Sequence, residues 1–274
     1  MAWLGDLRGV CPAAASAGNP IKASCRWVAF STEAAGVLGF VPLESRNGSK
    51  RTVLQLCCHS GEAGMEEHLT LTCNAVGGIG GGRKDSVSST DVVKDLDFSP
   101  FDEQLLATGS ADESIKVWRL PDGDQELSSS PHVTLGAQGG PVDAVLFHPT
   151  ADGVLASGAQ RTVKVWDVEQ KETLAELEHH EDQVQSLAWR LDGSLLGTSC
   201  KDKKLRVFDP RAKATACQST EAHANAKDSR LTWINAEGCL LSVGFNQVRE
   251  REVRLWDTRR FGSPLASITL DASP

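Results

Sequence analysis

Tyrosine is missing from the 274-residue chain and methionine occurs twice. Without tyrosine there is no phosphotyrosine switch within these residues. Basic residues are also in deficit. Lys and Arg number 28 against 36 Asp and Glu, a net charge of −8, and this argues against a phosphate-backbone binder, whose domain is normally basic. No run of 18 apolar residues occurs, so no stretch reads as a membrane-crossing helix. Met1 to Asp6 lack a basic segment followed by an apolar one, so no secretory leader is read there. The eight cysteines, Cys11, Cys25, Cys57, Cys58, Cys73, Cys200, Cys217 and Cys239, form no C-x-x-C pair and no short Cys/His ladder. Free thiols of a reducing compartment are expected, and the reading is a soluble, unsecreted, cytosolic chain. Asn47-Gly48-Ser49 matches the glycosylation triplet but, without a leader, is read as chance.

The residues that are present favour short strands and many turns. There are 25 Gly and 11 Pro, with seven Trp and eight Phe. The chain repeats itself. Trp118, Trp166, Phe208 and Trp256 close four similar units at spacings of 48, 42 and 48 residues, near the about 40–45 of a four-stranded propeller blade. Within a unit, an alternating strand (Ala144 to Phe147) meets a polar turn (Pro149 to Gly153). An apolar strand with small residues (Val154 to Gly158) and a β-branched strand (Thr162 to Trp166) follow. Small residues recur at Ala107-Thr108-Gly109-Ser110, Ala156-Ser157-Gly158, Gly197-Thr198-Ser199 and Ser242-Val243-Gly244. Strands crowded around an axis require them, and Trp or Phe fills the wider gap further out. Asp112, Asp202 and Asn246 fall at matching turn positions, where a short polar side chain bonds local backbone.

The words Leu105 to Asp112, Ser114 to Trp118 and Thr162 to Asp167 resemble WD-repeat blades. Asp95 to Asp102, Lys201 to Arg211, Lys227 to Arg230 and Gly244 to Asp257 resemble the coronin family, its long tandem-propeller members in particular. The resemblance covers about residues 3–60 and 91–273. It implies an all-β, WD40-type β-propeller with antiparallel four-stranded blades. About five of the seven blades usual in coronins are expected. Residues 1–60 are read as an N-terminal segment and a degenerate first blade (roughly 21–60), and 61–90 as a flexible Gly-rich insert resembling no coronin sequence. Residues 91–274 are read as four blades that stop before ring closure. The basic tail, coiled coil, second propeller and acidic tail of coronins are not found, so a fragment or short splice form is expected. An open arc exposes apolar sheet faces and is expected to self-associate.

Chemistry is sparse. The run Gly77 to Gly82 satisfies neither G-x-G-x-x-G nor the P-loop, because Arg83 follows Gly82. His59, His180 and His223 each precede the first strand of a unit, where WD repeats carry a histidine that bonds within its blade. Adjacent His179 and His180 point to opposite sides of a strand and make a poor chelate. No catalytic residue, cofactor or metal is expected, and the protein is read as a non-enzyme. Asp112, Trp118, Trp166, Asp167, His180, Asp202, Phe208, His223, Trp256 and Asp257 are assigned to blade structure. Basic groups cluster at Lys201, Lys203, Lys204 and Arg206, and at Arg249, Arg251 and Arg254. On residue type alone these read as a solvated edge. The resemblance implies binding to filamentous actin through basic propeller surface, and it adds Arg8, in Asp6-Leu7-Arg8, as a candidate contact. It further implies cytoplasmic work in actin organisation, Golgi morphology and Golgi-to-endosome or post-Golgi vesicle transport, with peripheral Golgi and vesicle association. The other reading is a general WD-repeat scaffold for adaptor or ubiquitin-ligase partners that has lost actin binding.

Overall fold

The computed structural model describes residues 21–32, 36–43, 54–59, 92–121, 128, 130–136, 138–177, 180–212, 215–234 and 238–270. The expected Arg8 contact, His179 and the insert at 61–90 lie outside them. The described residues build five sheets of four antiparallel strands. Blade 1 contains β1 (Ile21–Ala23), β2 (Trp27–Ser31), β3 (Val37–Pro42) and β4 (Leu54–Cys57). Blade 2 contains β5 (Val93–Phe98), β6 (Leu105–Ser110), β7 (Ile115–Arg119) and β8 (Val133–Leu135). Blade 3 runs through β9 (Val142–Phe147), β10 (Val154–Ala159), β11 (Thr162–Asp167) and β12 (Glu172–Glu176). Blade 4 has β13 (Val184–Trp189), β14 (Leu196–Cys200), β15 (Lys204–Phe208) and β16 (Gln218–Glu221). Blade 5 has β17 (Arg230–Trp233), β18 (Cys239–Phe245), β19 (Arg251–Asp257) and β20 (Ala266–Thr269).

Each strand pairs with the next in sequence, which is what short turns between β-rich segments produce. The first strands of successive blades pack side by side, so the sheets fan around an axis. The core lies between sheets. Ile115, Val117 and Leu135 of blade 2 pack on Val145, Leu155 and Trp166 of blade 3. Val163, Val165 and Leu177 of blade 3 meet Leu187, Trp189 and Phe208 of blade 4. Leu205 and Val207 of blade 4 meet Leu231, Trp233 and Trp256 of blade 5.

Polar side chains on the first strands join the blades near the axis. Asp95 Oδ2 accepts the Val145 amide at 3.0 Å, and Asp97 Oδ2 accepts that of Phe147 at 2.9 Å. Lys22 Nζ of blade 1 donates to Asp97 Oδ1 at 2.9 Å. Gln183 Nε2 donates to Asp143 Oδ2 at 2.6 Å, and Gln185 Oε1 accepts the Ser229 amide at 3.1 Å. An inner edge strand carries unpaired N–H groups, and these bonds satisfy several of them without a fifth strand.

Candidate functional site: polar clusters and the basic rim

Two blades hold a buried four-residue network. In blade 2, His59 Nδ1 lies 2.6 Å from Asp112 Oδ2 and Nε2 lies 3.0 Å from Thr108 Oγ1, while Trp118 Nε1 donates to Thr108 Oγ1 at 3.1 Å. Asp112 Oδ1 also accepts the Ser114 amide at 2.9 Å. Burial pushes the Asp112 carboxyl up, but hydrogen bonds from His59 and Ser114 outweigh it and hold the group below the usual carboxylate range. His59 precedes residues 60–91 and its partners follow them, so this network spans the insert position.

In blade 5, His223 Nδ1 meets Glu252 Oε1 at 2.8 Å, His223 Nε2 meets Ser242 Oγ at 2.9 Å, and Trp256 Nε1 donates to Ser242 Oγ at 2.8 Å. Glu252 was not legible as the acceptor, because the aligned turn residue is Asn246. Asn246 instead bonds Glu250, its Nδ2 donating to Oε2 at 2.7 Å. The missed signal is alternation in β19, which turns Glu252 and Trp256 to one face. Burial lowers the His223 pKa against the opposing effect of Glu252.

The other two matching blades hold less. His180 Nε2 reaches Thr198 Oγ1 at 2.8 Å, and the ring tilts against Phe208 with centroids 5.8 Å apart. Phe208 has no N–H to complete the set. Asp202 pairs with Arg206 at 2.6 Å. In blade 3, Trp166 Nε1 donates to Ser157 Oγ at 2.9 Å, and Asp167 Oδ1 accepts the Gln170 amide. Asp257 caps a 3-10 turn over Thr258–Arg260 and holds Arg259 Nε at 2.9 Å. His59, Thr108, Trp118, His180, Thr198, His223, Ser242 and Trp256 are buried within the blades, and Asp112, Asp167 and Asp202 are half-buried. An axial cleft of about 450 Å³ is lined by Lys22, Ser186, Trp189, Arg230 and Thr232 among others. Among the described residues no three His, Cys, Asp or Glu side chains gather to hold a metal.

The basic candidates divide into two groups. Arg206 is 7% exposed, and its pairing with Asp202 turns it inward; this corrects its place on a solvent-facing basic edge. The i,i+4 pair with Asp202, at 2.6 Å, holds the guanidinium against the hairpin. Burial pushes the Asp202 carboxyl up, yet Arg206 and the Lys204 amide draw it below its ordinary value. Arg254 is likewise engaged, donating to the Ala222 carbonyl and to Glu252 Oε2 at 3.1 Å. Lys201 Nζ donates to Gln183 Oε1 at 2.8 Å, and Lys204 Nζ to Glu181 Oε1 at 2.8 Å.

Lys203, Arg249 and Arg251 remain exposed, with no ion pair among the described residues. The hairpins that carry them join the second and third strands of blades 4 and 5, so they lie on the same rim. The matching hairpins place Glu113, Gln160, Lys203 and Arg249 at φ of 69°, 49°, 70° and 66°. All four are left-handed positions filled by long polar side chains where glycine is the relaxed choice. The rim thus runs from acidic Asp112 and Glu113 to basic Lys203 and Arg249. Lys227, whose ammonium sits 4.5 Å from the Phe245 ring centroid, joins the basic end, and sequence spacing did not single it out.

The pattern of the WD domain, G-beta repeat family matches residues 84–119, 129–167 and 171–209. Coronin-7 of Bos taurus is 52% identical over 274 residues, which is 100% of this chain and 26% of that protein. Coronin-7 of Homo sapiens is 50% identical over 272 residues, 99% of this chain and again 26% of the relative. The chain therefore spans about a quarter of the length of these curated relatives. The crystal structure of the WD40 domain of Toxoplasma gondii coronin superimposes with a TM-score of 0.74 at 28% identity, covering 94% of this chain and 60% of that one.

Proposed function

Because the chain belongs to the coronin family of WD40-repeat proteins, we propose that it is a non-catalytic scaffold that docks its basic rim onto the acidic surface of filamentous actin. The observation that carries this reading is the exposure of Lys203, Arg249 and Arg251 on neighbouring hairpins of one rim. Exposed guanidinium and ammonium groups on a rigid β-surface steer an acidic partner from solution, and that attraction weakens with salt. Arg8 joins the contact in this proposal. No helix among the described residues is long and apolar enough to cross a membrane. The cellular setting we propose is cytosolic, in actin organisation with peripheral Golgi association and post-Golgi vesicle traffic.

Cosedimentation with actin filaments across a salt series tests it. The chain is expected to pellet with filaments at low salt and to be released as salt rises. The triple change Lys203→Glu, Arg249→Glu and Arg251→Glu is expected to reduce pelleting several-fold, and Arg8→Asp to reduce it as well. Pelleting that is insensitive to both salt and the triple change removes the rim from the contact. A folded chain that fails to pellet at any salt favours the adaptor-scaffold reading.

A further inference from the structure

The first strands of blades 2, 3 and 4 each carry one residue more than the second strands they pair with. These residues are Lys94, Asp143 and Gln185, where the register shifts. A bulge of this kind re-aims a side chain and is common beside functional sites. Gln185 is engaged within the seam, its Oε1 accepting the Ser229 amide at 3.1 Å and the Ser229 hydroxyl at 2.8 Å. Lys94 and Asp143 instead line a cleft of about 330 Å³, together with Arg161, Asp182 and Gln183. Arg161 belongs to the hairpin between the second and third strands of blade 3, so the cleft opens on the rim that carries these hairpins. Blades 2, 3 and 4 each pack on a neighbour on both sides, and the lining takes nothing from the first or the last blade.

The deepest charged group in the cleft is Asp143, 4% exposed. Lys201 Nζ donates to Gln183 Oε1 at 2.8 Å, and Gln183 Nε2 donates to Asp143 Oδ2 at 2.6 Å. This relay fixes the orientation of the Gln183 amide. Asp143 Oδ1 has no hydrogen bond or ion pair among the described residues. Asp97, also beside the axis, accepts a backbone amide and in addition holds the Lys22 ammonium at 2.9 Å. Asp143 lacks such a cation. A carboxylate taken out of water with one bond from a neutral amide is costly unless a positive group completes it.

Neither Lys94 nor Arg161 supplies that group, since neither makes an ion pair among the described residues. Lys94 is half-buried and Arg161 exposed, so water and salt screen their repulsion of an incoming cation. Asp143 acts from a drier position, where a charge counts for more. An ammonium or guanidinium that enters therefore gains more from Asp143 than it loses to the mouth, and the exposed Asp182 adds to the gain. The order of charge, an anion deep and cations at the mouth, fits a basic side chain flanked by acidic ones. A phosphate group meets the buried carboxylate and is disfavoured.

We propose that this cleft binds a lysine or arginine side chain presented by an extended segment of a partner protein, with Asp143 as its counter-ion. The site is separate from the exposed cations Lys203, Arg249 and Arg251, and the proposal does not rest on filament binding. Titration of the full chain with Nα-acetyl-arginine amide and Nα-acetyl-lysine amide tests it, read from the backbone amide resonances of Asp143 and Gln183. Nα-acetyl-citrulline amide, uncharged and close in shape to the arginine probe, is the control. Saturable shifts with at least one basic probe are expected, in the millimolar range, and the stronger probe tells guanidinium from ammonium. Asp143→Asn is expected to weaken binding by about tenfold or more. Arg161→Gln, at an exposed position that tolerates the change, is expected to tighten it by about twofold as the mouth loses a repelling charge. No saturable shift with either basic probe, equal binding of the citrulline probe, Asp143→Asn binding as tightly as the parent, or Arg161→Gln binding no more tightly would each overturn the proposal.

Discussion

Asp97 accepts the backbone amide of Phe147 at 2.9 Å across the boundary between blades 2 and 3. Its other oxygen holds Lys22 of blade 1 at 2.9 Å, so one carboxylate ties three successive blades at the axis. Burial raises the Asp97 pKa against the lowering effect of Lys22, as expected for a charge held in a dry seam by few partners.

Asp97→Ala leaves the Phe147 amide and the Lys22 ammonium without this acceptor. The expected loss is about 1–3 kcal/mol of unfolding free energy. Asp97→Asn keeps an accepting oxygen and relieves the buried charge, so it is expected to cost less. Chemical denaturation of the three proteins gives the order, and an Asn variant weaker than the Ala variant contradicts it.

The His223 and Glu252 cluster makes stability depend on pH. Burial holds the His223 pKa below its ordinary 6.5, and His148 is lowered for the same reason. The unfolded chain then takes up protons first, so stability is full above pH 6.5 and falls as the pH drops through that value toward the folded pKa. Asp112 acts in the same direction further down, its stabilisation being lost as pH falls below the usual carboxylate range. Melting temperature is expected to decline on acidification from neutrality, with a shallower slope in His223→Gln. Equal slopes would show that His223 does not carry the effect.

Gly109 tests the spacing argument directly. Its Cβ position lies 2.6 Å from Val142 Cγ1 and 2.9 Å from Val145 Cγ1. Gly109→Ala is expected to cost about 1–3 kcal/mol through overpacking of the blade 2 to blade 3 junction. Val243→Ala, at the matching and half-buried position of blade 5, is expected to cost less than a core truncation. Comparison of the two melting curves decides it.

The sequence by itself determined the blades. Trp118, Trp166, Phe208 and Trp256 recur at the period of a four-stranded sheet, and strand alternation with local turn residues places each element, because both are nearest-neighbour properties of the chain. It also singled out His59, His180 and His223 by their place before a first strand. Tertiary structure alone decided what those histidines meet. Glu252, not Asn246, faces His223, since strand pairing rather than turn position sets which acidic group shares the buried face. Arg206 looked like one more cation in a basic run, but its side chain is turned onto Asp202. The larger side chains of the second strand of blade 5 were likewise not set apart in advance. Leu241 and Val243 read as ordinary strand residues until the packed neighbours of Gly109 and Gly197 showed how little room that position has elsewhere.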